Sequence, residues 1–221
     1  MIRASFGKRL SHLPTAPVIQ VVLVPKGAAA SSDIWAMGEA LHMFVAEAQE
    51  RALFRIEGLP QDAIAVFRAY ELASALSNWT LGDWHREMRL TPEQIDQTIL
   101  GLRLIGSNEI ADVAARAKIA WLAGEPLDQF TTSREMEEPL IGQCSAWVRH
   151  SPLTRVLGDG QRDTVYKEVM KALGRCNPNY ARRRVAEDEG RRMRRIRPLA
   201  PLEGEPCTLD ELIAEMQLRY G

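Results

Sequence analysis

Between residues 33 and 123, apolar side chains return at spacings of three and four, and glycine or proline interrupts the pattern at Gly58, Pro60, Pro92, Gly106 and Gly124. That rhythm buries one stripe of a helix against another and suits no strand, so it restricts this part of the chain to packed helices. Asp33 is expected to cap the first of them, with Ile34, Met37, Leu41, Phe44, Ala48 and Ala52 inside and Gly58 closing it. Pro60 opens the next, whose inner face reads Ala63, Val66, Phe67, Tyr70 and Ala73. Thr91-Pro92-Glu93-Gln94 spells a helix start: a capping hydroxyl, proline at the first position, and Gln94 to close a capping box. Ile95, Ile99 and Leu102 follow, Gly106 stops that helix, and Ser107 or Asn108 caps another carrying Ile110, Val113, Ala117 and Ala120. Residues 91–123 therefore read as two antiparallel helices joined by a short turn.

The remainder is less regular. Residues 78–90 form an aromatic-rich connector with no periodicity of its own. Met136 to Val148 reads as a helix interrupted or restarted near Pro139, and Thr164 to Leu173 as a short helix with Val165, Val169 and Leu173 inside. A last helix is expected from Thr208, boxed by Glu211, with Leu209, Ile213 and Met216 apolar. Near the N-terminus, Arg3, Lys8 and Arg9 precede the apolar run Pro17 to Val24, an order that imitates a secretion signal. Gln20 breaks that run and Pro25-Lys26 follow it, so its β-branched residues suit a short strand or an extended arm instead. The expected organisation is an N-terminal arm over 1–32, a helical domain over 33–176, and an arginine-rich segment with a C-terminal helix over 177–221. The fold class is all-α.

Charge is distributed unevenly. The formal total is −1, yet residues 33–138 hold eighteen acidic side chains against nine basic ones, while 1–32 hold four basic and no acidic. Residues 182–197 contain eight arginines against three acids. Arg182, Arg183, Arg184, Arg191, Arg192, Arg194 and Arg195 could neutralise the phosphates of a nucleic acid. Equally, Glu187 with Arg191 and Asp188 with Arg192 could form i, i+4 pairs on a solvated helix. With 23 arginines against five lysines, arginine is abundant throughout the chain, which weakens the inference from local enrichment.

Catalytic and metal-binding patterns are missing from the sequence. Cys144, Cys176 and Cys207 are odd in number and far apart, which suits reduced thiols in a cytoplasmic protein. No zinc spacing, nucleophile elbow, phosphate loop or dinucleotide fingerprint occurs, so neither a cofactor nor a metal is expected and the chain reads as non-enzymatic. Asp83, His85 and Glu87 gather acid, imidazole and acid within five residues, but sequence proximity alone does not make them converge. No apolar run approaches the roughly eighteen residues of a membrane span. Trp35, Trp121 and Trp147 fall in or beside helices and read as core, whereas Trp79 and Trp84 sit in the connector, one suited to packing and the other to a partner.

One stretch is familiar. Leu59-Pro60, a helix through Tyr70, the connector Asn78-Trp79-Thr80-Leu81-Gly82-Asp83-Trp84, then Pro92-Glu93, Leu102 to Gly106 and the spaced Ala111, Ala114 and Ala117 follow one another in order. Together they resemble a helical domain family named after a bacterial DNA-mimic protein. Two glycines of that family's connector are replaced here by Trp79 and Thr80. The resemblance implies an all-α fold and a protein-binding role in which surface carboxylates imitate phosphates, for example toward a DNA-binding protein. The expected function is thus protein binding through an acidic face, with Trp79, Asp83, Trp84 and Glu87 as the partner-binding residues. The alternative is nucleic-acid binding through 182–197.

Overall fold

The computed structural model describes residues 19–50, 52, 54–132, 134–158, 164–177 and 209–220, and among these helices dominate, so the all-α expectation holds. Strand β1 (Val22–Pro25) leads into the short helix α1 (Lys26–Ala30) and then α2 (Ala36–Glu50). A 3-10 turn at Ile56–Gly58 precedes α3 (Gln61–Ala75), α4 (Leu81–Glu87), α5 (Pro92–Leu104) and α6 (Asn108–Leu122). A second 3-10 turn at Arg134–Met136 runs into α7 (Glu137–His150), followed by β2 (Thr154–Leu157), α8 (Thr164–Cys176) and α9 (Leu209–Tyr220). None of the described helices is long and apolar enough to cross a membrane.

Helix α3 occupies the middle, touching α2, α5 and α7. Its expected inner face is buried, and so are Ile64, Ala65, Ala69 and Leu72, so it is enclosed nearly all round. Small residues allow this. A Cβ placed on Gly101 of α5 would lie 1.9 Å from the carbonyl oxygen of Ala65, so the two backbones meet where neither side presents bulk. Helices α5 and α6 form the expected antiparallel pair. Thr91 and Gln94 complete the capping box, Gly106 turns the chain at φ 86, and Ala111, Ala114, Ala117 and Ala120 line the buried side of α6. Asp96–Lys118 and Arg103–Asp112 ion pairs bridge the two helices on their exposed side.

Several expectations change. Helix α2 begins at Ala36, and Asp33 instead closes a turn just before it, its Oδ1 accepting the backbone N–H of Trp35 at 3.0 Å. The first-turn N–H of Gly38 is satisfied from another helix, donating to Ser145 Oγ of α7 at 3.0 Å, while that hydroxyl donates to the carbonyl of Ile34. Pro139 does not interrupt α7. It lies in the first turn, where its missing N–H has no intrahelical acceptor to lose. Ser107 precedes α6 without capping it, because its hydroxyl donates to Gln143 of α7.

The apolar run before Pro25 does form a strand, and Val22, Leu23 and Val24 are fully buried. Its partner β2 had no strong sequence signal. The two pair in parallel, Val22 opposite Thr154 and Pro25 opposite Leu157, and the described part of the 1–32 arm shares the core of the helical domain. Trp35, Trp121 and Trp147 are partly buried against that core. Helix α8 buries Val165, Val169 and Leu173 as expected, and α9 packs on it through Ile213. Thr208, and with it the expected capping box, lies outside the described residues, as does the whole segment Arg182 to Arg197.

A candidate protein-binding groove

The connector that showed no periodicity contains helix α4. Thr80 starts it: Asp83 N–H donates to Thr80 Oγ1 at 3.1 Å, and Thr80 returns its backbone N–H and its hydroxyl to Asp83 Oδ2 at 3.3 and 2.7 Å. The Thr80 hydroxyl and the Arg86 guanidinium hold the Asp83 carboxyl below the usual carboxylate range. Arg89 adopts a left-handed φ of 47 just after α4, a turn more often made by glycine. Seven residues are too few to carry a strong periodic signal in the sequence.

This local structure separates the four expected partner-binding residues. Trp79, just before the cap, is 38% exposed, and Glu87 at the end of α4 faces solvent. Asp83 is committed to the cap and to Arg86. Trp84 is a correction: it is 1% exposed and belongs to the core, because α4 turns Leu81, Trp84 and His85 inward toward the rest of the domain. Gly82 packs so closely on the 127–130 turn that a Cβ there would sit 2.4 Å from the Leu127 carbonyl oxygen. His85 is also buried, at 2% exposure, with its ring 5.2 Å from Trp84 and 6.2 Å from Trp121, centroid to centroid. Burial pulls its pKa down to about 4. Asp83, His85 and Glu87 therefore do not converge on one reacting centre.

Trp79 lies on the rim of an open groove of about 620 Å³. Helix α2 contributes Glu39, His42 and Met43 at i, i+3 and i+4, and α3 contributes Tyr70, Glu71, Ser74 and Ala75. Asn78 and Trp79 close one end, and Met88, the residue following α4, completes the lining. Met43 and Met88 are 47% and 39% exposed, so three large apolar side chains from three parts of the chain meet solvent around one depression. Among the described residues no lysine or arginine lines it.

The polar groups of the groove are largely fixed. His42 leans on the rings of Phe67 and Tyr70, with centroids 5.5 and 6.3 Å away. Burial, then the nearby Glu39 carboxylate, push the Tyr70 phenol up to about 12, so it keeps its proton. Ser74 donates to the Tyr70 carbonyl at 3.0 Å, and Glu71 pairs with Arg68 at 2.5 Å. Glu39, by contrast, is exposed and has no ion pair among the described residues. Elsewhere the surplus acidity is partly neutralised: Asp83, Asp96, Asp112 and Asp128 all have basic partners.

Glu39, Met43, Glu71 and Met88 were not singled out from the sequence. A faint signal existed, since Met43 lies off the Met37, Leu41, Phe44 and Ala48 stripe and so falls on the outer side of α2. Among the described residues no three His, Cys, Asp or Glu side chains gather as metal ligands. The Cys144 thiol is buried and burial pushes it up to about 12, so it is neither an anion nor a ready nucleophile. Comparison with known proteins adds nothing to this picture: no family model, no curated protein and no solved structure matches the chain.

Proposed function

We propose that this chain is a cytoplasmic, non-enzymatic helical domain that binds a basic partner protein through the groove between α2, α3 and the Trp79 connector. One observation carries the reading. Trp79, Met43 and Met88 stay exposed around a single depression that also holds Glu39 and Glu71 and, among the described residues, no lysine or arginine. Scattered single apolar residues are normal on a protein surface, whereas an aromatic anchor clustered with methionines and rimmed by charge is the composition of an interface. The acidic surplus of residues 33–138 supports a basic partner by its sign, and a DNA-binding protein is one class of such a partner. Cys144 is a free, buried thiol, in keeping with a cytoplasmic setting.

The test is affinity capture from lysate of the source organism, with and without nuclease, using the wild type and the Trp79→Ala/Glu39→Lys double variant. A protein that survives nuclease and is lost with the double variant supports the reading. Capture that is indifferent to the double variant but abolished by nuclease overturns it, in favour of phosphate binding through Arg182, Arg183, Arg184, Arg191, Arg192, Arg194 and Arg195.

A further inference from the structure

We infer that the occupant of the groove is an amphipathic helical segment of the partner, with lysine or arginine beside its apolar stripe. This rests on the reading of the groove as a protein-binding site and adds what kind of element fills it. The first argument is the nature of the walls. Most of the lining belongs to helices α2 and α3, whose backbone groups are bonded within themselves, and the rest to the Trp79 connector and Met88, so among the described residues the groove offers no sheet edge to which an extended peptide could add a strand. Recognition must then run through side chains, and the packing partner that presents only side chains is another helix.

Dimensions agree. Along α3 the lining runs from Tyr70 to Ala75, roughly 7.5 Å at the helical rise, and Asn78 and Trp79 extend it past the helix end, which suits about two turns of a docked helix. Two turns present three or four apolar side chains on one face. Met43 and Met88 form flexible walls that adjust to the shape of those side chains, and Trp79 supplies the rigid anchor. Small Ser74 and Ala75 keep part of the floor low.

Charge fixes the remaining feature. Glu39 stands beside Met43 with no ion pair among the described residues, and Glu71 has only Arg68. An acidic or neutral apolar helix would leave the Glu39 carboxylate partly desolvated and uncompensated, whereas a lysine or arginine flanking the stripe restores a partner. The chain therefore selects a cationic amphipathic helix and works against an acidic one.

The experiment uses the full chain and a fluorescein-labelled peptide of about 16 residues built from Leu, Ala and Lys, with apolar residues at i, i+3, i+4 and i+7. Two controls accompany it, a scrambled peptide of equal composition and one with every Lys replaced by Glu. Anisotropy titration should give saturable binding of the amphipathic cationic peptide alone. Trp79→Ala should weaken it about thirtyfold and Glu39→Lys about five- to tenfold. Glu109→Lys, a charge reversal on α6 outside the groove, should leave it unchanged, and circular dichroism should show all three variants folded. Equal binding of the scrambled peptide, or equal weakening by Glu109→Lys, would reduce the effect to general electrostatics and overturn the inference. No peptide binding alongside Trp79-dependent protein capture would sink the helical occupant and leave the protein-binding reading standing. Loss of both would remove the two together. A wild-type dimer that Trp79→Ala converts to monomer would make the occupant a second copy and likewise overturn it.

Discussion

His85 and Trp121 hold their ring centroids 6.2 Å apart inside the domain, joining α4 to α6 with no hydrogen bond to either imidazole nitrogen among the described residues. Burial of His85 makes stability depend on pH. Burial lowers the His85 pKa from 6.5 to about 4, while the unfolded chain takes up this proton near 6.5. Between those values the unfolded state binds more protons, so the contribution is complete above pH 6.5 and is lost as pH falls toward 4. By pH 4.5 the loss should reach on the order of 2–3 kcal/mol. Urea unfolding at pH 7.5 and 4.5 checks it against His85→Leu, which cannot take up the proton. Wild type should lose that much more than the variant, and equal losses would mean that His85 protonates as readily in the folded state as in the unfolded one.

Two glycines give opposite expectations for the same substitution. Gly101→Ala would drive a Cβ to 1.9 Å from the Ala65 carbonyl oxygen, forcing α3 and α5 apart, and should cost about 2–3 kcal/mol. Gly142→Ala, on α7 with open space around the new Cβ, should gain about 0.5–1 kcal/mol from helix propensity. Thermal unfolding of both variants tests the pair. A neutral Gly101→Ala would refute the close crossing.

Ser145 holds together the start of α2. Ser145→Ala leaves the Gly38 N–H and the Ile34 carbonyl without this partner, at a cost of about 1–3 kcal/mol. Chemical denaturation measures it. Amide exchange at Gly38 should quicken more than at Gln143, which lies on the same α7 as the substitution. Uniform change across the domain would argue against a local cap.

Thr80→Ala removes the cap of α4 and should cost about 1 kcal/mol, with Thr80→Ser restoring most of it. Because Trp79 and Met88 flank α4, the same variant should also weaken binding of the cationic peptide. Hydrogen exchange over residues 81–87 together with the anisotropy titration reads both effects. Faster exchange with unchanged affinity would separate the helix from the groove.

Where the sequence was strong, it was strong for a physical reason. The Thr91 box and Gly106 act within a few residues of themselves, so they are visible in a local window, and the apolar positions of α3 repeat for four turns. Strand β2 has four residues, two of them exposed, and owes its existence to a partner far away in the chain. The groove was still less legible. Of Trp79, Asp83, Trp84 and Glu87, only Trp79 lines the groove, and Met43, Met88 and Glu39 join it only through the packing of α2 against α3 and the turn of α4, which no local spacing encodes. Trp84 was misplaced for the same reason. Whether α4 turns an indole inward depends on the 127–130 turn it meets.

The pairing of Val22 with Thr154 also has a consequence for biosynthesis. The ribosome completes the strand β1 at Pro25 and then must translate 129 further positions before its first partner residue, Thr154, exists. At elongation rates of about 5–20 residues per second that interval is roughly 6 to 26 seconds. During it Val22, Leu23 and Val24 have no β2 to cover them, although α2 and α3 can already assemble. The nascent chain thus carries an apolar segment without its strand partner until β2 has emerged, and chaperones that survey emerging chains can engage it in that interval.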